Sequence, residues 1–184
     1  MIFSLFRRGA PRDTISILYG MIVAQARLPY FYRDYAVPDT VNGRFDLIVL
    51  HLALVLDRLT QAGAMERLGQ SIFDRFCQDM DDNLREMGIS DLKVPKEMRR
   101  MGEAFYGRSQ AYLSAIAVGF DRRALTEAIK RNIYGGAPSA SAAAPRLAAY
   151  MLEAVRDLKT QDVANLAAGQ VRFPNPAEIP ADTI

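Results

Sequence analysis

Apolar residues recur along this chain at intervals of three and four, and no stretch alternates with a period of two for long enough to form a sheet strand. The pattern predicts an all-α fold: a compact irregular bundle of about seven helices around a central apolar helix. The first helix is expected over 13–27, capped by Asp13 or Thr14, with Ile15, Leu18, Ile22 and Ala26 on one face, ending before Pro29. The following segment, PYFYRDYAVPDTVNGRF, reads as a loop with a helical turn at 31–35, its turn chemistry supplied by Pro38, Asp39, Asn42 and Gly43. A second helix over 44–61 is apolar on most of its circumference, which requires other helices around it, and Gly63 ends or bends it.

The third helix, 64–87, aligns Leu68, Ile72, Phe76, Met80, Leu84 and Met87 in one stripe and stops at Gly88. Pro95 suits the first turn of a fourth helix reaching 118, which turns Met98, Met101, Phe105, Tyr112 and Ile116 inward. Joined by the short ISDLKV connection, these two helices form an antiparallel hairpin. Further helices are predicted over 121–134, 145–158 and 160–168, the last capped by Thr160. The alanine- and serine-rich stretch 136–144 lacks large side chains and is read as a flexible loop, residues 1–12 as a flexible N-terminal segment, and 170–184 as a loose tail. One helical domain over 13–169 is simpler than two subregions split at 136–144.

Half of the 184 residues are hydrophobic, enough to bury a substantial core. A net charge of +2 from 23 basic and 21 acidic residues is too balanced for a general phosphate binder, so no direct DNA binding is expected. The single cysteine, Cys77, precludes an internal disulfide and suits a reducing compartment, the cytoplasm or a mitochondrial matrix. The N-terminus MIFSLFRR lacks the pattern of a secretory signal. Its Ile2, Phe3, Leu5 and Phe6, with Arg7 and Arg8, suit either weak peripheral contact with a membrane or packing on the protein itself. The longest apolar stretch, residues 47–56, is half of the roughly 20 residues that a span needs, and is therefore a core helix.

Several candidate chemistries can be tested on residue types alone. The carboxylates Asp74, Asp79, Asp81 and Asp82 evoke a di-iron bundle, but that site needs two Glu-x-x-His pairs, and His51 has no glutamate three residues before it. They read instead as a solvated face, pairing with the basic helix that follows or forming a bipolar patch for a partner. His51, within apolar neighbours, is expected to be a buried imidazole with one hydrogen bond; neither Ser71 nor Ser109 sits in a nucleophile-elbow pattern. Cys77 is read as a small, inert hydrophobe. Gly102 and Gly107 lie inside a helix without P-loop context, so close packing within the fold is the expected reason, and approach of a bound segment the other. Met80, Met87, Met98 and Met101 are core filler or, if exposed with Phe105 and Tyr106, an adaptable surface for apolar segments.

Three segments, LYGMIVAQARLPYFY, VNGRFDLIVLHLALVLDRL and FDRFCQDMDDNLREMGISDLKVPKEMRRMGEAFYGR, resemble in this order the ubiquinol-cytochrome c chaperone family. The resemblance covers residues 14 to 160, and the long third block is its most specific part. In the mitochondrial members it implies a factor that binds newly made cytochrome b near the ribosomal tunnel exit and holds it for haem insertion during biogenesis of respiratory complex III. Without a long N-terminal extension, the chain looks like a compact bacterial relative. The family supplies no catalytic residues to carry over.

The resulting expectation is a non-enzymatic assembly chaperone without cofactor or metal. It is cytoplasmic or peripheral to the inner membrane, with cytochrome b as client and the ribosome or a second assembly factor as further partners. The client surface is expected at Phe76, Met80, Asp81, Arg85, Met98, Arg99, Phe105 and Tyr106, and membrane contact at Ile2, Phe3, Phe6, Arg7 and Arg8. The alternatives are a small-molecule enzyme or carrier using His51, and a membrane-surface scaffold.

Overall fold

The computed structural model describes residues 12–62, 66–117, 119–137 and 140–180. The N-terminal segment, including the expected membrane contacts Ile2, Phe3, Phe6, Arg7 and Arg8, lies outside these residues. Eight α-helices follow in order: α1 Arg12–Ala26, α2 Pro29–Arg33, α3 Val41–Gln61, α4 Glu66–Glu86, α5 Val94–Ala117, α6 Arg122–Asn132, α7 Ala140–Thr160 and α8 Val163–Ala167. A 3₁₀ turn, Pro176–Glu178, ends the series, and there is no strand among the described residues.

The apolar circumference of α3 has the structural consequence expected of it: α1, α4, α5 and α7 all pack against this helix. Leu47, Val49, Leu50, Leu52 and Val55 are wholly buried on its different sides. Truncating one such leucine to alanine removes about 2–5 kcal/mol, because the surrounding helices only partly close the hole. Arg58, at the end of α3, donates from Nε to Leu158 O at 3.0 Å and from Nη2 to Gln161 O at 3.1 Å, tying α3 to the C-terminal end of α7.

The start of α3 explains a glycine read as a turn residue. Thr40 Oγ1 accepts from Gly43 N at 3.1 Å, so the helix begins at Val41 and Gly43 lies in its first turn. A Cβ at Gly43 would stand 2.0 Å from Pro38 O, so only glycine permits the loop to fold back over this turn.

Two other segments depart from the sequence reading. Residues 140–144 are helical, with Ala140 and Ala144 fully buried in the core, so the small side chains of this stretch are packed. Pro145 lies within α7 rather than at its start, and the helix runs through Lys159 and Thr160, so that Asp162 caps α8 by accepting from Ala164 N at 2.9 Å. The tail beyond residue 169 is not loose as far as Pro180. Val171 and Pro176 are buried, Gln161 clasps the Arg172 backbone through both its N–H and its C=O at 2.9 Å, and Tyr35 donates its hydroxyl to Pro176 O at 2.7 Å.

Candidate functional site

The α4–α5 hairpin is built from two amphipathic stripes that face each other. Ile72, Phe76 and Met80 of α4 and Phe105, Tyr112 and Ile116 of α5 are buried. Three residues expected at a client surface, Phe76, Met80 and Phe105, are therefore core residues: they lie on the stripe that faces α3 and serve to hold the hairpin down. Phe76 stacks against Phe45 of α3 at 6.2 Å and against Phe105 at 5.6 Å between centroids.

What reaches solvent lies at the tip and along the seam of the hairpin. Leu92 in the connecting turn is 95% exposed, Tyr106 is 65% exposed and Met87, at the end of α4, is 58% exposed. Phe73, Cys77, Met98 and Met101 pack against the core while remaining partly open. Phe73 bridges inside and outside, its ring centroid 5.0 Å from buried Phe105 and 5.9 Å from exposed Tyr106. Gly102, four residues before Tyr106 and four after Met98, has nothing within 4 Å of the place a Cβ would occupy; neither has Gly107. Close packing inside the fold is thus not the reason for these two glycines.

Charge borders this seam. Arg85 pairs with Asp81 at 2.5 Å and also with Asp91 in the turn, and Arg99 lies 3.8 Å from Glu103. These pairs run within a helix or into the adjoining turn instead of across the hairpin, and at such exposure solvent screening leaves each of them weak. Arg85, Arg99 and Tyr106 are exposed, as are Leu92 and Met87, which are not among the residues expected at the client surface; Asp81 and Met98 are half-buried. Leu92 is marked in the sequence only as an apolar residue in the turn, whereas Met87 continues the α4 stripe but lies just past the helix end at Glu86, which leaves it exposed.

The interior around His51 has a different character. Its Nδ1 is 2.7 Å from Leu47 O, and a carbonyl only accepts, so Nδ1 carries the proton. Nε2 then accepts from the Tyr150 hydroxyl at 2.8 Å, and that hydroxyl accepts in turn from Gln25 Nε2 at 2.9 Å. Phe31, Tyr150 and Phe173 close around the imidazole, at centroid separations of 5.4, 5.6 and 5.1 Å. Burial holds the imidazole pKa down at about 4 against the partial opposition of the Leu47 carbonyl, so it is neutral at physiological pH. With both nitrogens engaged and every side packed, His51 is a structural imidazole with two hydrogen bonds rather than the expected one, and presents no surface to a substrate.

One buried ion pair was not anticipated. Asp46 of α3, 3% exposed, lies 2.8 Å from Arg108 Nε of α5, and the guanidinium also sits over the Phe45 ring. The contact lacks hydrogen-bond alignment, and burial pushes the Asp46 carboxyl up to about 6 even though Arg108 pulls the other way. Cys77 is half-buried, and burial together with Asp74 raises its thiol pKa, as suits an unreactive side chain. Among the described residues no group of histidine, cysteine and carboxylate side chains is arranged to hold a metal, and no helix is long and apolar enough to cross a membrane.

The chain as a whole is similar to known proteins. Residues 33–173 match the model of the family described as ubiquinol-cytochrome C chaperone. The ubiquinol-cytochrome-c reductase complex assembly factor 1 of Xenopus laevis is 27% identical over 150 residues, which span 81% of this chain and 74% of that protein. The crystal structure of the Cbp3 homolog from Brucella abortus superposes with a TM-score of 0.85 at 37% identity, covering 98% of this chain and 100% of that one. With a family model matching most of its length and a solved relative sharing its whole helical architecture, this chain belongs to the ubiquinol-cytochrome c chaperone family.

Proposed function

We propose that this chain is a non-enzymatic assembly chaperone of ubiquinol-cytochrome c reductase and that newly made cytochrome b docks on the exposed seam and tip of its α4–α5 hairpin. The observation that carries the reading is the exposure of Leu92, Met87 and Tyr106, with Tyr106 against half-open Phe73 and with Met98 and Met101 also half-open, in a family of chaperones. Side chains of this kind adapt to varied apolar segments, and the flanking Asp81, Arg85 and Arg99 supply the polar rim that limits non-specific adhesion. The open sides of Gly102 and Gly107 leave room for another backbone to approach α5. Placement in the cytoplasm, peripheral to the inner membrane, follows from a client that inserts there.

The test is co-purification of cytochrome b with a tagged chain, comparing wild type with Tyr106→Ala, Leu92→Glu and Asp81→Lys. Capture should fall severalfold in each variant while the helical circular dichroism is retained. Undiminished capture by all three folded variants would reject this surface. Loss of assembled reductase on deletion of the gene checks the assembly role independently.

A further inference from the structure

A second exposed surface among the described residues lies on α1, bordered at Ile17 by the Gly169 turn. Around this helix, Ile17, Gly20, Met21 and Ala24 fall within one arc of about 100° and all are exposed, Ile17 at 56% and Met21 at 37%. Arg27 continues the same arc one turn further on and opens into a crevice of about 590 Å³ lined by Arg27, Pro29, Tyr32, Arg33, Asp39 and Arg44. Three guanidiniums thus converge where the apolar stripe ends. Two of them are paired, Arg33 in a bidentate fork with half-buried Asp34 at 2.7 and 2.9 Å and Arg44 with exposed Asp39 at 2.7 Å. The single exposed Arg44–Asp39 contact is weak, and three guanidiniums against Asp34 and Asp39 leave a surplus of positive charge for another anion. Val41, one turn before Arg44 on α3, adds an apolar side chain 61% exposed.

We infer that this face docks on an anionic lipid bilayer, with Ile17 and Met21 entering the interface and a lipid phosphate held in the arginine crevice. An apolar helix stripe ending in a cationic hollow matches both layers of a membrane surface, acyl boundary and phosphate, whereas a dissolved phosphate would leave the stripe uncovered. Gly20 and Ala24 carry no side chain that would hold the helix away from a flat surface. This inference concerns a face separate from the α4–α5 seam and does not depend on the identity of the client.

The test is flotation of the full chain with vesicles of phosphatidylcholine alone or with about a third phosphatidylglycerol. Wild type should float with the anionic vesicles only, and less as salt is raised. Arg27→Glu with Arg33→Glu, and separately Ile17→Asp with Met21→Asp, should each weaken binding by about tenfold or more, given the contribution of each cation near an anionic surface and of each buried apolar side chain. Both positions of the second pair are exposed, so the melting temperature should hold. Equal flotation by either folded variant and wild type would overturn the inference. So would binding lost on deleting residues 1–10 yet kept in both substituted proteins, or binding of inorganic phosphate at the crevice with no vesicle binding.

Discussion

Two buried titratable groups of opposite character, Asp46 and His51, lie five residues apart on α3, and their effects on stability should cancel between about pH 4 and 6. Burial raises Asp46 to about 6, above the roughly 3.9 of an unfolded aspartate, so the native state alone holds this proton in that window. Its stabilising contribution is complete below the unfolded value and is lost as pH rises through about 6. His51 is lowered to about 4, below the roughly 6.5 of an unfolded histidine, so here the unfolded chain holds the proton. Its contribution is complete above the unfolded value and is lost as pH falls toward about 4. Each slope is about 1.4 kcal/mol per pH unit and the two have opposite signs, so the wild type carries almost no net slope from this pair. Urea unfolding of wild type, Asp46→Asn and His51→Gln at about pH 4.5 and 6.5 separates them. Relative to wild type, Asp46→Asn should gain about 2 kcal/mol as pH rises across that range, and His51→Gln should lose a similar amount or slightly more. Parallel curves for all three proteins would refute the reasoning, because they would mean that neither group is desolvated in the native state.

Gly43→Ala should destabilise by at least about 2 kcal/mol, read as a lower melting temperature, because the new methyl group meets the Pro38 carbonyl. Gly102→Ala should do the reverse, raising stability by up to about 1 kcal/mol, since helix propensity improves and nothing stands in the way. Phe173→Ala should remove about 2–4 kcal/mol and move the His51 pKa back up toward its ordinary value, followed by imidazole proton shifts in NMR, because water gains access to one side of the ring.

The helices were legible where a single periodicity decided the outcome. A stripe such as Leu68, Ile72, Phe76 and Met80 has one way to be buried, and the all-round apolar character of α3 has one explanation. The same logic limited the reading of the site. Phe76, Met80 and Phe105 obey the inward stripe as strictly as any core residue, and only their burial, with Phe76 stacked on Phe45 of α3 and Phe105 on Phe76, shows which way they face. Tyr106, next along the chain from Phe105, points outward because the stripe has already passed. The stretch 140–144 reads as a loop only if small side chains mean poor packing, whereas Ala140 and Ala144 are fully buried core residues of α7. The tail was misjudged because its anchors are non-local: Tyr35, Gln25 and Gln161 bind backbone carbonyls of Pro176, Pro174 and Arg172, and nothing in a carbonyl's own residue type announces a partner.

That strap also sets an order of events during synthesis. A polypeptide leaves the ribosome amino end first, so the wall of the imidazole chamber formed by Phe173 is missing until almost the whole bundle has emerged. Until then Tyr35 lacks its Pro176 acceptor, Gln25 lacks the Pro174 carbonyl, and the aromatic cluster stays open to water. Final maturation of this protein therefore waits on a dozen residues beyond its last α-helix, which act as the closing stitch of a seam sewn from the other end.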